Sequence, residues 1–374
     1  MNIGINGYEA VIPRFGFNKE DLPNRVGSSE FCYQLLCALN KIDKKNNYFI
    51  YLPVFPTSDL PKESESWKYI VFDSKKLWTL FGLTRKLSNQ KNLNVFFSPT
   101  HYLPVTGIKS VISILDVSYL HFPKLFRKKD LYQLKYWGGY SINKAKRIIT
   151  ISHSSKSDII KAYAIPSSKI NIVYPGIKNL NQGVKNDMQN LEKYILFVGT
   201  LQPRKNIERL IEAFSVLTSE NEFSDFKLII IGKKGWEFEE ILKAPKKYNV
   251  EKNVSFLQDV TDEELPNYYK NAQLFVLPSL YEGFGLPVLE AMKYGVPVIV
   301  SNVSSLPEAG GDAALYVDPL SVSDIADKMK RVLSDESLRS EMIKKGKKQI
   351  EKFSWEKSAR QTLAVLEEVV HPVR

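Results

Sequence analysis

Short runs of apolar, β-branched and aromatic residues alternate with longer amphipathic stretches along this chain. In its first half the runs are NIGIN, YFIYL, YIVF, NVFFS, SVISIL, RIITIS and INIVY; in its second half they are YILFVG, KLIIIG, NVSFL, LFVLPS, PVIVSN and ALYVDP. Helical patterns such as SSEFCYQLLCALNKI and KDLYQLKYWGGYSINKA lie between them. Apolar strands separated by helices predict parallel sheets buried on both faces. Two such sets in succession predict an α/β chain of two doubly wound domains, one over residues 1–176 and one over 194–352. The polar, Asn- and Gly-rich stretch between them predicts a linker over 177–193. A closing helical segment, 353–374, is expected to cross back to the first domain. Ligands of doubly wound sheets bind at the carboxyl ends of the strands. The cleft between the two domains is therefore the expected site.

Composition narrows the class. The chain has 374 residues, 44% of them hydrophobic and 25% charged, the balance of a globular protein of two domains. It contains no apolar run of the length that spans a bilayer, and its start, MNIGINGYEA, lacks the basic and apolar regions of a signal peptide. Cys32 and Cys37 are five apart on one expected helix, which turns them to different faces. They read as two reduced core thiols in a cytoplasmic protein. The net charge of +11 is uneven: residues 1–175 hold 25 Lys+Arg against 12 Asp+Glu, or +13, and the remainder holds 27 against 29, or −2. A basic first half predicts an anionic partner there, a membrane surface or an acidic substrate. Nucleic acid is not expected, because no zinc-ligand spacing, RNA-binding aromatic signature or basic helix-turn-helix occurs.

Two loops carry candidate chemistry. In YEGFGLPVLE, Tyr281–Glu290, two carboxylates eight positions apart bracket a glycine-broken turn. The preceding LFVLPS reads as a strand. The following PVLEAMKYG reads as a helix, with Pro287 suited to its first position and Gly295 to its cap. Gly283 and Gly285 would let the backbone approach a ligand, and the helix N-terminus behind them suits phosphate. Glu282 and Glu290 suit sugar hydroxyls. In GTLQPRKN, Arg204 and Lys205 stand where a helix begins, with Asn206 as its candidate N-cap. Two cations there make a diphosphate clamp.

In this order and spacing, the motifs make the chain resemble the family 4 retaining glycosyltransferases across essentially its whole length. The resemblance rests on GTLQPRKN, on VSFLQDVTDEELPNYYKNAQLFVLPSLYEGFGLPVLEAMKYGVPVIVSN and on LPEAGGDAALYVDP. It implies the GT-B fold of two facing Rossmann-like domains. It implies that Glu282 and the amides of Gly283, Phe284 and Gly285, with Leu286 beside them, hold the donor sugar. By the same likeness Glu290 holds the ribose, Arg204 and Lys205 neutralise the diphosphate, the backbone near Gln258 and Asp259 cradles the base, and Tyr281 lies at the diphosphate edge. Three positions depart from the family pattern. Thr200 stands where an arginine is common. Leu115–Asp116 replaces a His-Asp pair, with His121 in LHFP as the nearest substitute. The first loop reads NRVGSSEF, leaving Gly27 and Ser28 as phosphate neighbours.

The resemblance implies transfer from a nucleotide diphosphate sugar, GDP-mannose before UDP-glucose, to a glycan or lipid-linked acceptor of bacterial-type polysaccharide or glycolipid assembly. It implies retention of configuration. The chain has no Asp-x-Asp of the metal-dependent kind, so neither metal nor cofactor is expected, and Asp116 is the candidate for orienting the acceptor hydroxyl. The competing readings are a catalytically silent nucleotide-sugar-binding protein and a nucleotide-sugar epimerase or phosphorylase on the same scaffold. Two cationic, apolar stretches of the basic half, Lys75–Leu87 and Lys124–Trp137, have the composition of interfacial helices. They predict a cytoplasmic protein peripheral to the inner face of the membrane, with a soluble anionic acceptor as the other account of the charge.

Overall fold

The computed structural model describes residues 1–12, 16–17, 21–74, 77–90, 92–178 and 193–372. Most of the expected linker, residues 179–192, and two lysines of the first interfacial stretch, 75–76, lie outside the described residues. The described chain forms two compact units. The first comprises Met1–Val117, Arg127–Gly176 and Ser354–Arg374, and the second Ser118–Phe126 and Ile177–Phe353.

Each unit is built on one parallel sheet. In the first, β1 (Asn2–Asn6), β2 (Asn47–Leu52), β3 (Trp67–Val71), β4 (Val95–Ser98), β5 (Ser110–Ser113), β6 (Arg147–Thr150) and β7 (Ile170–Ile172) lie in the order β3-β2-β1-β4-β5-β6-β7. In the second, β8 (Tyr194–Val198), β9 (Lys227–Ile231), β10 (Val254–Leu257), β11 (Leu274–Leu277), β12 (Val298–Ser301) and β13 (Ala314–Val317) lie in the order β10-β9-β8-β11-β12-β13. The expected α/β, doubly wound class is thus the observed one. β4, β5, β11 and β12 are buried along their whole length, which is why their interiors run apolar without alternation, with serine in β4, β5 and β12 at strand ends. In each sheet the strand order reverses beside the first strand, between β1 and β4 and between β8 and β11. Such a reversal opens a crevice outside the carboxyl ends of the two strands.

Helices cover the sheets through apolar stripes. In Ser28–Ile42 the stripe is Phe31, Cys32, Leu35, Leu36 and Leu39. Cys37 lies off it and is half-buried, so only Cys32 is a core thiol; both are free. The KDLYQLKYWGGYSINKA pattern forms one helical run interrupted by a π-helical turn at Leu134–Gly138, beside the Gly138–Gly139 pair that weakens regular helix. Among the described residues, no helix is long and apolar enough to cross a membrane.

The last helix, Trp355–Val370, belongs to the first unit. Its buried stripe, Ala359, Thr362, Leu366 and Val369, packs on the Ser28–Ile42 helix and on β4, β5 and β6. Trp355 meets Phe31 edge-on at 5.7 Å, and Arg147 pairs with Glu368 at 2.5 Å. Gly176 seats against the start of this helix: a Cβ there would stand 2.2 Å from the Trp355 backbone nitrogen. Gly176→Ala should therefore force the helix off its seat and cost about 1–3 kcal/mol, read as a lower urea midpoint; an unchanged midpoint would show that the junction yields freely.

Candidate active site

Arg204, Lys205, Tyr281, Glu282 and the glycine turn, singled out in the second half of the sequence, follow β8 and β11. These strands are direct neighbours, with Ile195 opposite Leu274 and Leu196 opposite Phe275. The segments that leave them emerge side by side. After β8 the chain bonds to the next loop through Leu201 N–H and the Lys233 carbonyl at 2.9 Å, then makes a tight 3₁₀ turn at Pro203–Lys205. Asn206 follows in the left-handed region, φ 60° and ψ 30°, and starts the Ile207–Thr218 helix. Asparagine tolerates that conformation better than most residues.

The expected cap is corrected here. Asn206 holds the N-cap position, but its side chain makes no cap bond. Its amide instead donates to the carbonyls of Pro278 at 2.9 Å and Pro319 at 2.7 Å. It ties the β8 loop to the segments after β11 and β13. Leu280 N–H reinforces the tie by donating to the Arg204 carbonyl at 2.8 Å.

This arrangement turns Arg204 and Lys205 onto Glu282. Lys205 Nζ donates to Glu282 Oε1 at 2.5 Å, and Arg204 Nη1 donates to Oε2 at 3.3 Å and to the Tyr281 carbonyl at 2.9 Å. Ser279 adds a hydroxyl to Oε1 at 2.7 Å. Lys205 and Glu282 are 7% and 6% exposed, so the pair is removed from water. Burial alone would raise the Glu282 pKa; the Lys205 charge and then the Arg204 charge outweigh it and hold the carboxyl at about 2. Two cations and one carboxylate leave the cluster with one unit of positive charge at the strand edge.

Past Glu282 the chain makes the glycine turn. Gly285 has φ 102°, open to glycine and strained for other residues, and a Cβ there would lie 2.8 Å from Leu306 Cδ2. Phe284 turns its ring into the core against Phe353, at 5.3 Å, so only its main chain is available at the turn. The helix is Leu286–Lys293, which puts Pro287 at its second position rather than its first, and Gly295 follows its end at φ 75°.

Glu290 sits apart from the cation cluster. It is half-buried and accepts the Tyr269 hydroxyl at 2.8 Å. Burial, then the Glu290 charge, push the Tyr269 phenol well above its ordinary pKa, so it stays a donor. Gln258, half-buried, and Asp259, exposed, follow the edge strand β10. Thr200 is half-buried beside Gly235. His121 is exposed, with its ring 4.9 Å from that of Tyr281.

Asp116, Gly27 and Ser28 belong to the first unit. Gly27, φ 56°, precedes the Ser28–Ile42 helix, and Ser28 Oγ donates to Glu9 at 3.3 Å. Asp116 follows β5, with His101 Nε2 3.3 Å from its carbonyl oxygen. Sequence reasoning passed over His101, Tyr269, Ser279, Ser304 and Ser305. For the histidine and the serines the only signal was a polar residue shortly after an apolar strand, whereas Tyr269 lies in the Leu265–Asn271 helix and gave none. Among the described residues, no three His, Cys, Asp or Glu side chains gather as a metal site requires.

Comparison with known proteins finds relatives of this chain. The family model described as glycosyl transferases group 1 matches residues 181–349. An O-antigen chain mannosyltransferase B of Escherichia coli is 35% identical over 278 residues, covering 72% of this chain and 73% of that protein. A serotype-specific mannosyltransferase of Escherichia coli is 32% identical over 227 residues, 58% of this chain and 28% of its own longer length. Among solved structures, a sucrose-phosphate synthase from Thermosynechococcus elongatus superimposes with a TM-score of 0.75 at 18% identity, covering 99% of each chain.

The cluster makes a pH prediction. A carboxyl held at about 2 in the fold and near 4.5 when unfolded contributes stability above pH 4.5 that is lost as pH falls toward 2. That contribution is on the order of 3 kcal/mol. Glu282→Gln should therefore be less stable than the parent at pH 7, with the gap closing between pH 5 and pH 2; denaturant midpoints across that range check it, and a pH-independent gap would mean that the carboxylate charge does not hold the cluster.

Proposed function

Because the chain belongs to the glycosyl transferases group 1 family, enzymes of the GT-B fold, we propose that it transfers mannose from GDP-mannose to a glycan or lipid-linked acceptor of bacterial-type polysaccharide assembly. The observation that carries this reading is the Arg204–Lys205–Glu282 cluster at the crevice between β8 and β11. The mannosyltransferase relatives favour mannose, and with it GDP-mannose over UDP-glucose.

In this reading Glu282 and the main chain of Gly283, Phe284 and Gly285, with Leu286, hold the sugar. Glu290, steadied by Tyr269, takes the ribose hydroxyls. Gln258 and Asp259 flank the base. Thr200, Tyr281, Gly27 and Ser28 border the diphosphate. Arg204 and Lys205 stabilise the charge that grows on the leaving diphosphate, which makes a metal ion unnecessary. Transfer proceeds on one face of the sugar. The bond from the anomeric carbon to the phosphate oxygen breaks as the bond to the acceptor oxygen forms, and the acceptor's proton passes to the departing phosphate. Configuration is retained, and Asp116 orients the acceptor hydroxyl.

Melting curves with GDP-mannose and UDP-glucose test the donor, since a ligand at 100 times its Kd adds about 2.7 kcal/mol. Lys205→Ala removes one charge-assisted bond of roughly 1.5–3 kcal/mol, so turnover should fall about ten- to a hundredfold. Activity within twofold of the parent would sink the role of the clamp, and no shift with either nucleotide sugar would sink the donor.

The basic first half adds a membrane surface to the proposal. In the first interfacial stretch Trp78, Leu83 and Leu87 are buried, which makes that face structural, whereas Leu77 and Phe81 are 44% and 62% exposed beside Arg85 and Lys86. In the second, Tyr132 and Tyr136 are each 65% exposed, with Arg127, Lys128, Lys129 and Lys135 around them. Exposed aromatic and apolar side chains among cations suit an anionic lipid surface. The protein should co-sediment with anionic but not neutral vesicles and be released by salt, because screening acts over about 8 Å at physiological ionic strength; a protein left in the supernatant at low salt would exclude the membrane role.

A further inference from the structure

The loop after β12 contains a serine in a conformation that disfavours it. Ser304 has φ 57°, in the left-handed region where a Cβ crowds the backbone and glycine is the easier residue. What serine has and glycine lacks is a hydroxyl, and this one is fully engaged. Ser304 Oγ donates to the Glu282 carbonyl at 2.6 Å and lies 3.2 Å from Glu282 N–H, which donates to it. The neighbouring Ser305, wholly buried, donates to the same carbonyl at 2.8 Å. Leu306 then packs beneath Gly285, as the close approach of its Cδ2 shows. One short loop therefore grips the start of the glycine turn through two hydroxyls and its end through a methyl group.

Strain held at one position persists where the surroundings over-determine it. Here the surroundings are the Glu282 main chain. The carboxylate of Glu282 is held separately, by Lys205, Arg204 and Ser279. We infer that Ser304 and Ser305 are positioning residues that pin the Glu282–Gly283 peptide, so that carboxylate and turn amides present one fixed arrangement to the donor sugar. This inference rests on the donor-binding role proposed above for that turn.

Ser304→Gly separates the hydroxyl from the backbone conformation, because glycine adopts the left-handed region without strain. Ser304→Ala removes the hydroxyl and keeps the strain, and Ser305→Ala removes the second donor. Amide hydrogen exchange over residues 280–286 should speed by tenfold or more in Ser304→Gly and Ser304→Ala, while the melting temperature of Ser304→Gly stays equal to the parent or rises. By calorimetry, GDP should bind within twofold of the parent, whereas the preference for GDP-mannose over GDP should fall at least fivefold; UDP-glucose and UDP serve as the second pair. Parent-like exchange in both Ser304 variants would overturn the inference, as would faster exchange with an unchanged preference. A parent that binds neither nucleotide sugar would instead overturn the donor-binding reading, and the positioning role with it.

Discussion

A carboxylate buried against two cations is the constraint around which the second unit is arranged. Taking Glu282 and Lys205 out of water costs several kcal/mol per charge, and only close, well-directed bonds, with the partly exposed Arg204 adding one, offset it. The fold supplies them from segments more than 70 residues apart in the chain. β8 and β11 must be adjacent, the 3₁₀ turn must end at Lys205, and Asn206 must hold the turn to Pro278 and Pro319. Misplacing any of these would leave a charge buried without its partner, which is far less stable than having none there.

The parallel sheets make that adjacency available. Each strand is followed by a crossover that returns the chain to the same end of the sheet, so all the connecting loops after the strands collect along one edge. In the second unit that edge carries the cation cluster after β8, the glycine turn after β11 and the paired serines after β12. The same strand order recurs in the first unit, where the last helix of the chain covers the sheet and seats on Gly176. Hydrophobic burial drives both assemblies; the polar groups at the edge are where the two sheets differ in chemistry.

The site also divides its two glutamates by environment. Glu282 is ionised by its cations and closed off from water, whereas Glu290 is half-exposed and accepts the neutral Tyr269 phenol. A motif with two identical residues therefore holds two chemically distinct carboxylates. The first suits a contact that must stay charged and fixed, and the second suits a ligand that arrives from solvent.

The sequence by itself determined the strands, because runs of only about five residues, apolar on both faces and bounded by glycine or proline, are too short for a buried helix and fit a covered parallel sheet. YILFVG, KLIIIG and LFVLPS are strands for that reason, and the SSEFCYQLLCALNKI helix is legible from its 3.6-residue period. It also placed Arg204, Lys205 and Glu282 in loops at strand ends, since glycine and proline punctuate both motifs. Only the tertiary structure decided whom these residues meet. That Lys205 lies on Glu282, that Asn206 ties loops rather than caps its helix, and that Tyr269 supports Glu290 depend on contacts between segments distant in the chain. Ser279, Ser304 and Ser305 were invisible for the same reason: a hydroxyl is a common surface group, and its role is set by the acceptor that folding brings to it.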